Sequence, residues 1–419
     1  MADQISDGGL AFTAASQVCV DEFEEVVESY LAARPDTMPL VERLIERDPD
    51  MIMAVCFRGY LLRLAAHPKL AGAIAACLER VQELVNQKLA NPREQQHAHA
   101  LQLWCADRAD DALEVLEDLL KLHPLDMLAL RIAHYLHFYN GRGEDMRDST
   151  ARVLDAWPQQ HAHYDYLLGM HAFGLEESAQ YEPAMEFGQR AVAANPADIW
   201  ATHAVTHVYQ MQGRHAEGLD WLDGLRDQWE NTNNFRNHVV WHGALHYIGI
   251  GQPDHALKVY DDLLADTIAD DFYLDVCNNA ALLWRLQFLG LDIGDRWNAM
   301  VELCAKHAHD KELVFASLHY LIPLAVTGAD EAGELLQTLR AWGSSDTEQG
   351  SVCADVGVAL AQAIVQAPEY PEQAAETLAQ HRADTYLVGG SKAQRDLFRL
   401  LADDVARRAN RADLLPTTS

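Results

Sequence analysis

Gly213-Arg-His-Ala-Glu-Gly-Leu219 recurs in similar form as Gly251-Gln-Pro-Asp-His-Ala-Leu257, 38 residues further along the chain. Apolar positions around these phrases recur every three or four residues, which is typical of amphipathic helices. Pro124, Pro158 and Pro196 follow three such segments at intervals of 34 and 38 residues. A period of about 34 residues, with proline after the second helix of each hairpin, is typical of tetratricopeptide repeats. The period therefore predicts paired helices separated by short turns.

Small residues occupy fixed places in the second helix of a hairpin, as Ala184 and Ala191 do before Pro196. Small side chains let this helix approach the first one, and proline ends it because proline has no backbone N–H. We therefore predict an all-α fold, a curved right-handed solenoid of tetratricopeptide-like helical hairpins. We expect a single helical-repeat domain over 1–419, with the clearest repeats at 92–265, a less regular segment at 270–295 and a frayed tail at 415–419.

The chain is strongly acidic. It has 419 residues with 32 Lys and Arg against 63 Asp and Glu, which gives a net charge of −31. Such a surface repels phosphate backbones and anionic lipids. The charge therefore argues against nucleic-acid binding and membrane-surface binding, and it favours cations or a basic partner.

The cysteines are seven in number, scattered, and without a C-x-x-C pair, which argues against a disulfide framework or a cysteine zinc site. The first residues show neither the basic nor the apolar region of a secretory signal. No apolar run approaches the roughly 20 residues that cross a bilayer. We therefore expect a cytoplasmic protein in a reducing compartment.

Two segments carry histidine at helical spacing. The first holds His203 and His207, and the second holds His238, His242 and His246. Residues four apart lie on one face of a helix, so each segment forms a stripe of imidazoles. The second stripe is the main polar feature of an otherwise apolar segment, and such a helix is expected to be buried.

The stripes extend into a ladder along the repeats. His134, His171, His207 and His246 follow one another at 37, 36 and 39 residues, which predicts one imidazole on each successive first helix of a hairpin. A ladder of this kind suits the inner wall of a curved array, where ligands bind. The alternative is that each imidazole is a structural group satisfied by hydrogen bonds.

A divalent metal is one candidate cofactor, with His203, His207, His242 and His246 as candidate ligands, because zinc takes three or four such groups. The sequence lacks the H-E-x-x-H motif, so a carboxylate has to come from elsewhere. Glu177 and its neighbour Glu176 are candidates for that role or for a general base. Alternatively, these two carboxylates are solvated or pair with Arg190.

The histidines favour an enclosed pocket that binds a small polar molecule, with hydrolase-type or metal-assisted chemistry as its most natural activity. The candidate catalytic residues are His207, His242 and Glu177. The candidate ligand-binding residues are Trp200, His171, His203, Arg236, His238, Trp241 and His246. The alternative is a non-catalytic scaffold whose groove binds a peptide or partner protein. Whether the chain is an enzyme, and whether it forms a homo-oligomer, stays open.

Four longer phrases resemble a known family. They are HAVTHVYQMQGRHAEGLDWL (203–222), NNFRNHVVWHGALHYIGIGQPDHALKVYD (233–261), NNAALLWRLQFLG (278–290) and GGSKAQRDLF (389–398). They are similar to the family of tetratricopeptide repeat protein 38, and weaker similarity extends over almost the full chain. The resemblance implies a closed or strongly curved helical-repeat body. It implies no established reaction, so the site has to be argued from its residues.

Overall fold

Helices form nearly all of the regular structure in this computed structural model, which describes residues 3–415. Among those residues there are 22 α-helices. They are α1 Gln17–Leu31, α2 Thr37–Arg47, α3 Ile52–Leu64, α4 Ala71–Asn86, α5 Pro92–Cys105, α6 Ala109–Leu122, α7 Met127–Tyr139, α8 Gly143–Leu154, α9 Tyr164–Glu177, α10 Tyr181–Ala194, α11 Ile199–Met211, α12 His215–Trp229, α13 Phe235–Gly249, α14 Pro253–Val259, α15 Tyr273–Phe288, α16 Trp297–Lys306, α17 Val314–Thr327, α18 Glu331–Trp342, α19 Glu348–Val352, α20 Val358–Gln366, α21 Pro371–Gln380 and α22 Lys392–Arg408.

Two short strands precede the helices. Strand β1, Asp3–Ile5, pairs antiparallel with β2, Ala11–Thr13. The backbone N–H of Thr13 donates to Glu94 Oε1 at 2.8 Å, which ties the hairpin to the first turn of α5. The same Glu94 completes a capping box with Asn91 at the start of that helix.

The predicted hairpins are confirmed. Helices α7 to α14 follow one another as four helix–turn–helix segments, of which α9 packs on α10, and the turns after α7, α11 and α13 contain Gly141, Gly213 and Gly251. Gly213 has φ +70° and Gly251 has φ +74°, a left-handed conformation that glycine adopts without strain. Helices α8 and α10 end shortly before Pro158 and Pro196, as the period predicts. The fold is therefore all-α and built of tetratricopeptide-like hairpins.

The segment expected to be less regular is placed wrongly. Tyr273–Phe288 is a continuous and largely buried α-helix. The irregular part lies before it, where the π-helical segment Tyr260–Leu264 is followed by a 3₁₀ segment Ala265–Asp270. Asp271 then takes a left-handed conformation with φ +54°. Polar residues of α15 such as Asn278 and Arg285 make buried hydrogen bonds inside the fold. The predicted tail at 415–419 lies mainly outside the described residues.

The chain divides into two compact units. The first consists of the chain up to Phe138 with Arg142–Gln212 and Asp220–Arg236, and the second consists of Tyr139–Gly141, Gly213–Leu219 and the chain from Asn237 onward. The expectation of a single domain over 1–419 stays a prediction.

The first unit curls so that its N-terminal helix meets later helices. Tyr166 on α9 donates a hydrogen bond to Glu28 on α1 at 3.0 Å. Trp200 Nε1 on α11 donates to the backbone oxygen of Leu31 at 2.9 Å, just where α1 ends. Curvature within this unit therefore brings helices of distant sequence position together.

The second unit is centred on α15 and α17, which are buried along most of their length. Helix α17 contains Pro323 and still runs to Thr327, where Gly328 with φ +72° ends it. Ser391 caps α22 through a capping box with Gln394. Among the described residues, no helix is both long enough and apolar enough to cross a membrane.

Candidate functional site

The ladder of histidines lies on four helices in the order that the period predicts. His134 is on α7, His171 on α9, His207 on α11 and His246 on α13, and all four side chains are buried. The two stripes fall in different units, since the first unit ends its last segment at Arg236. Their joint use as one pocket stays a prediction, and each stripe is described within its own unit.

Glu176, Glu177 and His207 form a buried group in the first unit, here called the acidic cluster. One potential ligand atom from each residue lies within 4.8 Å of the other two. His207 Nδ1 lies 3.4 Å from Glu176 Oε2, and both side chains have zero exposure. A hydrogen bond assisted by charge is shorter, at about 2.7–2.9 Å. The two atoms are therefore within ion-pair distance but farther apart than in a short charge-assisted hydrogen bond.

Close helix packing brings α9 and α11 together. A Cβ added to Gly169 would lie 2.9 Å from the Cβ of Ala201, so this glycine permits the approach of α11. A Cβ added to Gly174 would lie 2.7 Å from the Cα of Arg147, so a second glycine admits α8 on another side. Interaxial distance depends on the side chains at the contact. Small residues in α9 thus set the position of its last turn, which carries Glu176.

The electrostatic setting of the acidic cluster favours a cation. Glu176 and Glu177 are the last two residues of α9, and His207 lies four residues before the end of α11. Carbonyl groups at a helix C-terminus carry partial negative charge, which disfavours nearby carboxylates and favours positive groups. Burial increases this preference, because buried charges need compensation. The alternative that these carboxylates are solvated is wrong, because both side chains are buried, while pairing with Arg190 stays a prediction.

Aromatic side chains enclose the histidines of α11. The Phe173 ring centroid lies 5.3 Å from those of His203 and His207, and the two imidazole centroids are 4.4 Å apart. The Phe235 ring packs against His203 at 5.1 Å. His203 is therefore in ring contact with His207, a member of the acidic cluster.

Trp200 and Arg236, two of the predicted ligand-binding residues, have other contacts. The Trp200 ring lies under the Arg131 guanidinium at 4.0 Å and against Phe235 at 3.9 Å. Arg236 is exposed and donates to the backbone oxygen of Glu230 at 2.9 Å. Trp200 thus belongs to an aromatic stack at the start of α11, and Arg236 lies on the surface.

His171 and His134 are held as neutral imidazoles. His171 Nδ1 shares a hydrogen bond of 2.9 Å with Thr150 Oγ1, and its ring meets Phe187 edge-on. Burial lowers the pKa of His171 and lowers that of His134 well below its usual value, with Arg147 and Arg131 adding to the respective effects. Both therefore fit the structural alternative that the sequence left open.

His238, His242, Asn278 and Trp241 form a buried group in the second unit, here called the amide cluster. His238 Nδ1 shares a hydrogen bond of 3.0 Å with Asn278 Oδ1, and His242 Nε2 lies 3.3 Å from His238 Nε2. The Trp241 ring stacks on His238 with centroids 5.3 Å apart and planes 15° apart. The helix therefore presents its imidazoles to an amide and an indole.

Arg285 adds a cation beside the amide cluster. Its guanidinium lies 5.5 Å from the Trp241 ring centroid, and burial lowers its pKa to about 10. It donates to the backbone oxygen of Ala393 at 2.7 Å. Among the described residues, Trp241 Nε1 and Asn278 Nδ2 are buried without a hydrogen-bond acceptor. The amide cluster thus contains two buried hydrogen-bond donors without an acceptor.

His246 lies apart from the amide cluster, next to the hairpin turn. Its Nδ1 lies 3.2 Å from His215 Nδ1, with which it shares a hydrogen bond. A Cβ added to Gly218 on α12 would lie 2.4 Å from the His246 ring, so α12 passes this close to His246 only with a glycine at this position. His246 therefore occupies a tight contact between helices.

A second polar group in the first unit escaped the sequence interpretation. Arg93 Nη1 donates to Asp126 Oδ2 at 2.6 Å, and His97 Nε2 lies 3.1 Å from the same oxygen. Asp126 also accepts from the backbone N–H of Ala129 at the start of α7. Arg93 and Asp126 are 33 residues apart, which is close to one repeat. This separation is the feature of the sequence from which their pairing could have been predicted.

No protein-family model matches the sequence. Among solved structures, the chain shows a weak likeness to one described as "Structure of Naa15/Naa10 bound to HypK-THB", with 13% sequence identity and a TM-score of 0.27. The match covers 95% of this chain and 62% of the other, so this chain spans less than two thirds of that protein's length. So weak a likeness carries no conclusion about activity, and the all-α fold follows from the helices themselves.

Proposed function

We propose that this protein binds a divalent metal ion at the acidic cluster and holds a small polar molecule there for metal-assisted, hydrolase-type chemistry. The observation that supports the proposal is the convergence of one ligand atom each from Glu176, Glu177 and His207 to within 4.8 Å at a buried place. Carboxylate oxygens and imidazole nitrogens are both groups that bind zinc in proteins.

The spacing of the ligand atoms fits a metal ion between them. Two ligands at about 2.1 Å from a tetrahedral ion are about 3.4 Å apart. His207 Nδ1 and Glu176 Oε2 are 3.4 Å apart. The gap between them is thus suited to an ion of this size, whereas a direct hydrogen bond would draw the atoms closer.

Charge balance gives the same preference. Two ionised carboxylates carry two negative charges, which a divalent ion neutralises while His207 supplies a neutral nitrogen. Burying two negative charges is costly unless a positive charge lies close to them. The position of both carboxylates at the C-terminus of α9 adds to the preference for a cation.

The chemistry of such a site follows from an open fourth ligand position. An ion held by Glu176, Glu177 and His207 would supply Lewis acidity, which activates a water molecule and polarises a carbonyl or phosphoryl oxygen. His203, whose ring centroid lies 4.4 Å from that of His207, is an additional imidazole that would accept or donate a proton. The catalytic role expected for His242 is not part of this proposal and stays a sequence prediction.

The alternative scaffold function depends on an exposed groove lined by polar side chains. In this chain the polar ladder residues of the first helices are buried, with His171 at 7% exposure and His207 at 0%. That arrangement favours a small ligand or ion over a peptide at these residues. Membership in the tetratricopeptide repeat protein 38 family and a cytoplasmic location belong to the same proposal, the latter supported by seven free cysteines.

Calorimetric titration of the chelator-treated full chain with Zn²⁺ and with Mn²⁺ tests the metal site. We expect one ion per chain for at least one of the two metals. The Glu176→Gln variant removes one ligand charge and is expected to weaken that binding at least about tenfold, a change of about 1.4 kcal/mol or more.

Glu186→Gln is the matched control, because Glu186 is exposed on the neighbouring helix α10. It is expected to bind metal as the unaltered chain does. Far-UV circular dichroism verifies that each variant is folded, and His207→Asn provides a second ligand change. Equal metal binding by the unaltered chain and by both ligand variants would reject the proposal, as would no binding of either metal by the folded chain.

A further inference from the structure

A buried cation of the second unit lacks a partner anion. Arg285 on α15 is 5% exposed, and among the described residues no carboxylate forms an ion pair with it. Asp396 is the acidic group whose charge acts on Arg285, but it pairs with Arg399 at 2.6 Å. A buried charge is costly unless an opposite charge lies close to it. In a chain with 63 acidic residues, the missing counter-charge at Arg285 therefore indicates a place for an anion.

Two neutral donors near Arg285 lack an acceptor as well. Among the described residues, Trp241 Nε1 and Asn278 Nδ2 are buried without a hydrogen-bond partner, and their side chains are 0% and 2% exposed. The oxygen of the Asn278 amide is already used, since it lies 3.0 Å from His238 Nδ1. An indole N–H can only donate. Because buried polar atoms without partners are uncommon, both donors indicate a missing acceptor.

The three donors lie around one place between α13 and α15. Arg285 Nη1 donates to the backbone oxygen of Ala281 at 3.1 Å, so the guanidinium turns back along α15 toward Asn278. Asn278 lies about one helical turn before Ala281. On α13, the Trp241 ring lies 5.5 Å from the guanidinium and stacks on His238, which bonds to Asn278. These contacts form a closed circuit between the two helices.

A single cation determines the charge of the missing partner. Burial lowers the pKa of Arg285 to about 10, so the guanidinium is still charged at physiological pH. His319, on which Arg285 acts, adds no second positive charge, because burial lowers its pKa to about 4. The indole and amide donors are neutral. A partner with one negative charge and several acceptor positions therefore matches these donors, and a carboxylate has both properties.

We propose that the amide cluster and Arg285 bind a small carboxylate anion, whose oxygens accept from the Arg285 guanidinium, Trp241 Nε1 and Asn278 Nδ2. A metal cation is a poor guest, because the guanidinium repels it and N–H donors cannot ligate it. A doubly charged phosphate group would leave one charge uncompensated at a buried place. The low exposure of all three side chains favours a small guest. The site lies in the second unit, apart from the acidic cluster, and does not depend on the metal proposal.

Titration of the isotope-labelled full chain with acetate, followed by nuclear magnetic resonance of the Trp241 indole N–H, tests the proposal. The Trp241→Phe variant identifies this resonance by its loss. Acetate replaces chloride at constant ionic strength and about pH 7, where carboxylates are ionised. Acetamide has a similar shape without the charge and is the matched probe. We expect a saturable shift with acetate and binding at least about tenfold weaker with acetamide.

Three results with these probes would overturn the proposal. No saturable shift with acetate would mean that water alone serves the donors. Equal binding of acetate and acetamide would mean that the charge of Arg285 does not select the guest. Tighter binding of inorganic phosphate than of acetate would contradict the match to a single negative charge.

Asn278→Asp removes one donor and keeps the rest of the contact, since an oxygen still faces His238 Nδ1. It replaces the Nδ2 donor by an oxygen and is expected to weaken acetate binding at least about tenfold. Arg285→Gln removes the positive charge and is expected to weaken acetate binding at least as much. Far-UV circular dichroism verifies that each variant is folded. Full acetate affinity in either folded variant would contradict the assignment of the carboxylate to these donors.

Two control variants separate this site from the surface and from the metal site. Arg340→Gln removes an exposed guanidinium on α18 and is expected to bind acetate as the unaltered chain does. Glu176→Gln is also expected to retain acetate binding, whatever its effect on metal. Loss of acetate binding in Arg340→Gln would place the anion on the surface and overturn the proposal. Loss of acetate binding in Glu176→Gln would contradict the independence of the two sites.

Discussion

The acidic cluster and the amide cluster begin from the same sequence pattern and differ in what faces the imidazoles. His203 and His207 on α11, like His238 and His242 on α13, stand four residues apart on a buried helix. In the first unit two carboxylates approach His207, and in the second unit an amide and an indole approach His238. The spacing of histidines thus predicts burial, while the facing residue determines the chemistry.

The largest expected effect concerns the packing of the amide cluster. Trp241 is fully buried and stacks on His238. Trp241→Ala is expected to lower the free energy of unfolding by about 3–5 kcal/mol, because it leaves a large cavity. Chemical denaturation measures the change. Trp241→Phe keeps an aromatic ring on His238 and is expected to cost clearly less, so equal losses would contradict the importance of the stacking contact.

The next effect separates the two clusters by their response to metal. At a free metal concentration of 100 times the dissociation constant, a bound ion is expected to stabilise the fold by about 2.7 kcal/mol. Glu176→Gln is expected to remove this stabilisation, and Asn278→Ala to leave it intact. Thermal unfolding with and without metal measures both. If Asn278→Ala abolished the metal effect and Glu176→Gln did not, the roles of the two clusters would be reversed.

A smaller effect is expected from the hydrogen bond within the amide cluster. Asn278→Ala removes the acceptor that lies 3.0 Å from His238 Nδ1. The loss is expected to be about 1–3 kcal/mol, since a buried polar atom is left without a partner. Asn298→Ala, at an exposed position of α16, is the control and is expected to be nearly neutral. Equal urea midpoints for the two variants would mean that the bond adds nothing to stability.

The smallest effect is a pH response of α11 itself. Asp198 caps this helix by accepting from the N–H groups of Trp200 and Ala201, and burial raises its pKa to about 7. Because the pKa of Asp198 is higher in the folded state than in the unfolded state, the free energy of unfolding decreases as pH rises from about 4 to about 7. Asn keeps the cap, so Asp198→Asn is expected to gain about 1 kcal/mol above pH 7 and nothing below about pH 4. Denaturation at several pH values measures the gain, and a gain independent of pH would contradict this account.

Much of the fold was predictable, because helix packing repeats with the sequence. The 34- and 38-residue intervals of Pro124, Pro158 and Pro196 predict hairpins whose second helices end where the prolines require. The error at 270–295 has a physical cause. Asn278 and Arg285 are polar, yet they are buried because each finds a hydrogen-bond partner on another segment.

The candidate site was only partly predictable. Glu176 and Glu177 stood out in the sequence, since they follow His171 on the same helix. Their approach to His207 depends on glycines in α9 that let the neighbouring helices come close. The distance between helices cannot be predicted from the repeat period. The approach of Glu24 to Asp126 was missed altogether, because the two residues lie far apart in sequence and only the curl of the first unit brings α1 beside α7.

The most direct measurement of the central proposal is anomalous diffraction from crystals of the full chain grown with Zn²⁺. We predict that data collected at the zinc absorption edge show an anomalous density peak between these side chains. The peak is expected at about 2.0–2.2 Å from a His207 ring nitrogen and from oxygens of Glu176 and Glu177. Such a peak, lost in crystals of the Glu176→Gln variant, would support a metal site at the acidic cluster. Zinc bound elsewhere in the chain, with no peak between these three side chains, would contradict it.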